Sequence, residues 1–147
     1  MRLVVTALIF LTGLFDLFMA VSFLLDPGSA GAGLGVAAIG MAGGPQGAAA
    51  GLSTIRADFT SFFGVGAFCM MWGAWRRNAD LLLVPALLFG VSFVGRAVNV
   101  AMVGPYPQWP LPMGVEAFHV ALALAAWRLL PHTGSATSPL RSRPGAF

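Results

Sequence analysis

Lysine is absent from this 147-residue chain, cysteine occurs once, and only 9% of the residues are charged. All eight basic residues are arginines, scattered along the chain or placed inside apolar runs. They form no basic face of the kind that binds nucleic acid. The single cysteine, Cys69, excludes an intramolecular disulfide and a metal site built from several thiolates. Because a soluble domain contains about 25% charged residues, this composition predicts a membrane protein.

Apolar residues make up 58% of the chain. They form four runs near the length of about 20 residues that a membrane-spanning helix needs. The predicted spans are 3–25, 53–75, 81–103 and 113–130. They indicate an all-α, polytopic fold in which a single domain, 1–130, is a bundle of four transmembrane helices. The polar and basic remainder, 131–147, is predicted to be a disordered cytoplasmic tail.

The arginines also predict how the bundle is oriented. Basic residues at both chain ends and in the Arg76-Arg77 turn fall on one side of the predicted spans, whereas 27–52 and 104–112 contain none. The positive-inside rule therefore places both termini in the cytoplasm, with the chain a multi-pass protein of the cell inner membrane. Segment 27–51 is rich in glycine and alanine. We expect it to form an interfacial helix or a re-entrant segment on the outer side.

Seven polar residues interrupt the apolar runs, and counting along the predicted helices places all of them in the outer half of the membrane. A charge near the bilayer centre costs roughly 2.5–3.5 kcal/mol, so it needs a partner or a wet cavity. Three of the residues are acidic, two are arginines and one is a histidine, so we expect one nearly neutral, mutually paired cluster. The seven are Asp16, Arg56, Asp58, Arg96, Asn99, Glu116 and His119.

Helical spacing predicts which of these side chains meet. Glu116 and His119 are three residues apart and therefore share one face of their helix. Arg96 is expected to pair with Glu116 or with Asp58, because an unpaired arginine at that depth is costly. Arg56 and Asp58 lie about 200° apart on an ideal helix, so both face the interior only if their helix begins irregularly.

Short motifs in the spans combine small, aromatic and charged residues. They are Arg56-Ala57-Asp58, Phe62-Phe63-Gly64, Gly95-Arg96, Gly104-Pro105 and Glu116. In these motifs the chain resembles a bacterial domain-of-unknown-function family of small four-helix integral membrane proteins, over about residues 3–130. The resemblance implies a four-helix membrane fold and carries no established activity. Heavy use of alanine, glycine and arginine without lysine is also typical of a bacterium with GC-rich DNA.

The preferred functional hypothesis is an integral membrane enzyme that performs acid/base chemistry on a lipophilic small molecule. Isomerase, epoxide hydrolase and cyclase reactions fit best, because no cofactor signature and no metal site are expected. The candidate catalytic residues are Asp58, Glu116 and Asp16. A further set is predicted to bind substrate or to tune pKa values: Arg56, Arg96, Asn99, His119, Trp109, Phe59 and Phe63.

Two other functions stay open at this point. The same cluster would suit a protein that binds or transports a small amphiphile or ion. Alternatively, its ion pairs would only hold the helices of a structural membrane protein together. Whether the chain is an enzyme is therefore open. The expected partners are a lipophilic small molecule or lipid and the membrane itself, without nucleic acid, and a homo-oligomer is left open.

Overall fold

A computed structural model describes residues 1–37, 44–107 and 109–132, and every regular element in these three ranges is helical. The all-α prediction is therefore confirmed. Residues 38–43 of the predicted loop and the tail beyond 132 lie outside the described residues. The elements are α1 (Arg2–Leu25), α2 (Pro27–Gly33), α3 (Gly44–Arg76), a 3-10 turn (Ala79–Leu82), α4 (Leu83–Val103) and α5 (Pro110–Leu129).

Three helices among the described residues are long and apolar enough to cross a membrane: α1, the 3-10 turn continued by α4 (Ala79–Val103), and α5. Large apolar side chains such as Leu11, Val91 and Leu111 are exposed on their outer faces. An apolar exterior with every backbone bond made inside a helix is what a lipid environment requires. These features support a membrane protein. Helix α3, with 33 residues, is longer but is not among the three.

The segment between the first two predicted spans is shorter than expected. Asp26 ends α1, and its side chain accepts the backbone N–H of Ser29 at 3.1 Å, so that a new helix, α2, starts at Pro27. Proline suits this first helical position because its missing N–H needs no partner there. Helix α3 already begins at Gly44, nine residues before the predicted start. Both ends of the predicted loop 27–51 are thus helical.

Helices α1 and α3 pack closely and run antiparallel. At Gly13 an added Cβ would lie 2.8 Å from Met71 Cγ and 3.2 Å from the Ala67 carbonyl oxygen, so only glycine allows this approach. Nearer the other end of the pair, the Arg56 Nε–H donates to the Leu24 carbonyl at 3.0 Å. The two helices therefore remain neighbours from the middle of α1 to its end.

A dry apolar core fills the end of the bundle at which α3 turns into α4. It joins α1, α3, the 3-10 turn and α5, and all of its members are buried. They are Ile9, Met70, Ala74, Ala79, Leu82, Leu122, Ala126 and Leu130. The buried polar side chains lie beyond this core, toward the end at which α1 finishes and α5 begins.

Candidate functional site

A buried pair of titratable side chains joins α1 to α5. Asp16 is fully buried, His119 is 2% exposed, and His119 Nε2 lies 3.2 Å from Asp16 Oδ1. Asp16 is nine residues before Leu25, and His119 is nine residues after Pro110. At about 1.5 Å per residue both lie about 14 Å from the same end of the bundle, which is close to half of a hydrocarbon core about 30 Å thick.

Hydrogen bonding defines the proton content of this pair. His119 Nδ1 lies 2.8 Å from the Val115 carbonyl oxygen, which only accepts, so Nδ1 carries a hydrogen. Nε2 then either accepts from a protonated Asp16 or, in an imidazolium, donates to the Asp16 carboxylate. Both arrangements contain one shared proton and have no net charge. The pair is therefore suited to an apolar interior, where an unpaired charge is costly.

Aromatic rings fix the orientation of His119. Phe89 of α4 stacks on the imidazole with 3.9 Å between ring centroids and 24° between ring planes, and Phe118 meets it edge-on at 6.0 Å. Phe59 and Phe63, which were predicted to bind substrate, both stack on Phe23, at 4.7 and 5.8 Å. These two rings are part of the packing between α1 and α3.

A second polar set connects α4 and α5. Glu116 Oε1 accepts from Arg96 Nε at 2.7 Å and from the Ser92 hydroxyl at 2.6 Å. The expectation that Arg96 is held by Glu116 is confirmed. Glu116 Oε1 thus accepts two hydrogen bonds, and the one from Arg96 is charge-assisted, so this set resembles a structural clamp.

Each buried carboxyl group keeps one oxygen without a partner. Asp16 Oδ2 and Glu116 Oε2 are buried and make no hydrogen bond to any described residue. Asp16 Oδ2 points toward α3, where an added Cβ on Gly66 would lie 3.7 Å from it. An unsatisfied buried acceptor typically costs about 1–3 kcal/mol. Groups of this kind are uncommon in folded proteins and call for an explanation.

The structure does not bring all seven polar residues together. Arg56 and Asp58 are exposed on α3, and Asp58 makes no hydrogen bond or ion pair with the described residues. The physical reason is that α3 is already regular at this point. Its buried face passes through Ile55. Arg56 lies about 100° around the helix from Ile55, and Asp58, although three residues from Ile55, lies at the exposed edge of that face. The expectation that Asp58 joins the buried cluster is therefore wrong.

Asn99 and Trp109 also lie apart from the buried pair. Helix α4 is buried at Pro85, Ala86 and Phe89, near its start, and its last turns, including Asn99, are exposed. Trp109 is the N-terminal cap residue of α5 and is half-buried. The neighbour that would cover this face of α4 is missing from the described chain.

A lateral groove between α1 and α5 reaches the buried pair. Its volume is about 530 Å³, within the range of small-molecule pockets. His119 is its one titratable lining residue, and the other side chains are apolar except for Thr12. The groove is open along the side of the bundle, so in a membrane it would face lipid. Its lining residues are Leu8, Leu11, Thr12, Phe15, Pro110, Leu111, Gly114, Val115, Phe118 and His119.

Comparison of the chain with protein-family models, with curated proteins and with solved structures gives no match. The resemblance to a four-helix membrane family accordingly stays a prediction. The case for function depends on the geometry of the described residues.

We expect Glu116→Gln to lower the free energy of unfolding by about 1–3 kcal/mol, because it leaves the Arg96 charge without a counter-ion. The effect is smaller than for a fully enclosed pair because the Arg96 side chain is 29% exposed and solvent screens it. Asp58→Asn is the matched control and should change stability by less than about 0.5 kcal/mol. Chemical unfolding in detergent micelles measures both. Equal losses in the two variants would contradict the assignment.

Proposed function

We propose that this chain is a four-span protein of the bacterial inner membrane that carries out acid/base chemistry on a lipophilic small molecule. The molecule enters from the bilayer through the groove between α1 and α5, and the His119–Asp16 pair exchanges a proton with it. One observation carries the proposal: the titratable side chain that borders an apolar, laterally open groove is hydrogen bonded to a buried carboxyl group.

Packing supports α3 as the fourth span. Its close approach at Gly13 and its hydrogen bond to Leu24 keep it beside α1, which is one of the apolar helices. At about 1.5 Å per residue α3 is about 50 Å long, and the hydrocarbon core is about 30 Å thick. If the Arg76 end lies at one surface, Arg56 and Asp58 lie near the opposite boundary, where exposure to water costs nothing.

Arginine placement supports cytoplasmic termini. Arg2, Arg76 and Arg128 all belong to helix ends on the same side of the antiparallel bundle. The opposite side contains α2 and the segment that joins α4 to α5, and its described residues are without basic side chains apart from Arg56 near the boundary. This asymmetry is what the positive-inside rule describes.

Orientation is testable with single cysteines in a Cys69→Ala background. Gly33→Cys lies at the end of α2, where an added side chain meets nothing within 4 Å. Arg2→Cys lies at the opposite end and is the matched control. A membrane-impermeant thiol reagent added to intact spheroplasts should label position 33 and should label position 2 only after lysis. The reverse pattern would contradict the proposed orientation.

The chemistry follows from the single shared proton. A neutral donor–acceptor pair can protonate one atom of a substrate and remove a proton from another, and it returns to its starting state without a cofactor. Double-bond isomerisation has this balance, because the proton gained at one carbon equals the proton lost at another. Epoxide opening and cyclisation begin with the same protonation. With Asp58 exposed, a mechanism that uses Asp58 and Glu116 as paired carboxylates has less support.

Transport is the weaker alternative. A pathway across the membrane would have to continue from His119 to the Arg76 end, where Ile9, Met70, Leu122 and Ala126 close the core. A purely structural role fits the Arg96–Glu116–Ser92 clamp well. It fits the His119–Asp16 pair less well, because His119 borders the groove whereas Arg96 and Glu116 line neither groove.

Access through the groove is tested by filling it. Gly114→Leu and Gly95→Leu both place a side chain on a helix position where an added Cβ meets nothing within 4 Å. Only Gly114 lines the groove. We expect Gly114→Leu to remove most photolabelling of α1 and α5 by a diazirine-bearing fatty acid in vesicles, and Gly95→Leu to leave the labelling unchanged. Unchanged labelling in both variants would contradict the groove as the entry route.

The chemistry is tested by comparing the lipophilic metabolites of cells that produce the protein with those of cells that do not. The variants Asp16→Asn and Gly95→Leu are compared in the same way. Asp16→Asn should lower the rate of any protein-dependent conversion about 10²–10⁴-fold, the usual contribution of general acid/base catalysis. Gly95→Leu should preserve the conversion. A conversion that continues at full rate in folded Asp16→Asn would exclude proton transfer by this pair.

A further inference from the structure

A second apolar groove lies between α1 and α3 and shares no lining residue with the first. Its volume is about 360 Å³. Aromatic side chains dominate its lining toward the end of α3 at which the arginines lie. The lining residues are Phe10, Leu17, Gly64, Ala67, Phe68, Met71, Trp72 and Trp75.

A column of stacked groups runs from this groove to the end of α3. Phe68 stacks on Trp72 with 5.9 Å between centroids and 11° between planes. The Arg76 guanidinium carbon lies 4.9 Å over the Trp72 ring. These residues are spaced four apart, so they lie one above another on the same face of the helix. The cation–π contact holds the charge of Arg76 at the end of the groove.

The positive charge at this end is not neutralised within the described chain. Arg76 and Arg77 are exposed, and neither forms an ion pair with another described residue. The carboxylate nearest in sequence, Asp80, is 2.8 Å from His132. Arg2, at the start of the antiparallel α1, adds a further positive charge at the same end. An apolar groove with the Arg76 guanidinium over one of its lining rings, and with a second exposed arginine, Arg77, next in sequence, is complementary to an anionic amphiphile.

We infer that this groove binds an anionic glycerophospholipid. One acyl chain lies along the Phe68–Trp72 column, and the phosphate contacts Arg76 and Arg77. Basic residues directly beside a membrane-spanning helix attract anionic headgroups, and arginine pairs with phosphate through its forked N–H groups. The inference depends on the membrane placement proposed above and is independent of the chemistry at His119.

Tryptophan quenching by brominated lipids tests this assignment. The protein is reconstituted in phosphatidylcholine vesicles that contain increasing fractions of brominated phosphatidylglycerol or, in parallel, brominated phosphatidylcholine. Trp72 and Trp75 line the groove, and Trp109 and Trp127 give a background common to all samples. We expect half-maximal quenching at an about thirtyfold lower fraction of phosphatidylglycerol, the combined effect of two arginines beside the headgroup.

The double variant Arg76→Gln/Arg77→Gln should lose the preference for phosphatidylglycerol. Arg128 is a basic residue in the last turn of α5 at the same end of the bundle, and the control variant Arg128→Gln should retain the preference. Folding of each variant is checked by helical circular dichroism and gel filtration. Equal quenching of the wild type by the two lipids would overturn the inference. So would an equal loss of preference in Arg128→Gln, which would indicate general surface charge. Tryptophans that neither lipid quenches would indicate that another helix covers the groove.

The proposal of lipid binding and the proposal of proton chemistry are tested independently of each other. Arg76 and Arg77 are remote from the groove at His119, so a negative result here leaves the proposed proton chemistry standing. Conversely, loss of the chemistry in Asp16→Asn would leave the lipid preference unchanged.

Discussion

The hydrogen bond between His119 and Asp16 is the interaction around which the bundle is arranged. In an apolar interior an isolated charge is costly, and a pair that shares one proton is neutral in either of its arrangements. All four long helices contribute to its surroundings. Asp16 belongs to α1, Gly66 of α3 leaves room beside the carboxyl group, Phe89 of α4 stacks on the imidazole, and α5 supplies His119.

The two buried polar sets differ in what surrounds them. Arg96 and Glu116 are joined by a short hydrogen bond, Ser92 donates a second one to Glu116, and neither charged residue lines either of the two grooves. His119 borders a groove that opens along the side of the bundle, and its bond to Asp16 is at the long end of the usual range. This contrast is the basis for the proposal that the first set positions helices and that the second transfers a proton.

Much of the fold could be predicted because it depends on local patterns. Apolar runs and their breaks placed the ends of α1 and α4 within a residue or two, and counting from those ends placed Glu116 near Arg96. Facing was harder. Arg56, Asp58 and Asn99 are exposed, and their exposure depends on where α3 starts and on which helix covers the end of α4. The Asp16–His119 contact was not predicted, because the predicted start of the last span at 113 placed His119 less deep than Asp16. With the observed start at Pro110 both residues are nine positions from their helix ends. No signal in the sequence predicted the grooves, because their shape depends on how the helices pack.

Nitrogen NMR of His119 in lipid bilayers tests the shared proton most directly. The chain contains two histidines, so a His132→Gln background leaves His119 as the single source of imidazole signals. The account predicts a hydrogen on Nδ1 in the wild type and in Asp16→Asn, with the Nε2 signal changing between the two because only the wild type shares its proton with a carboxyl group. A bare Nδ1, or an Nε2 signal that is identical in both proteins, would contradict the pairing on which the proposed chemistry depends.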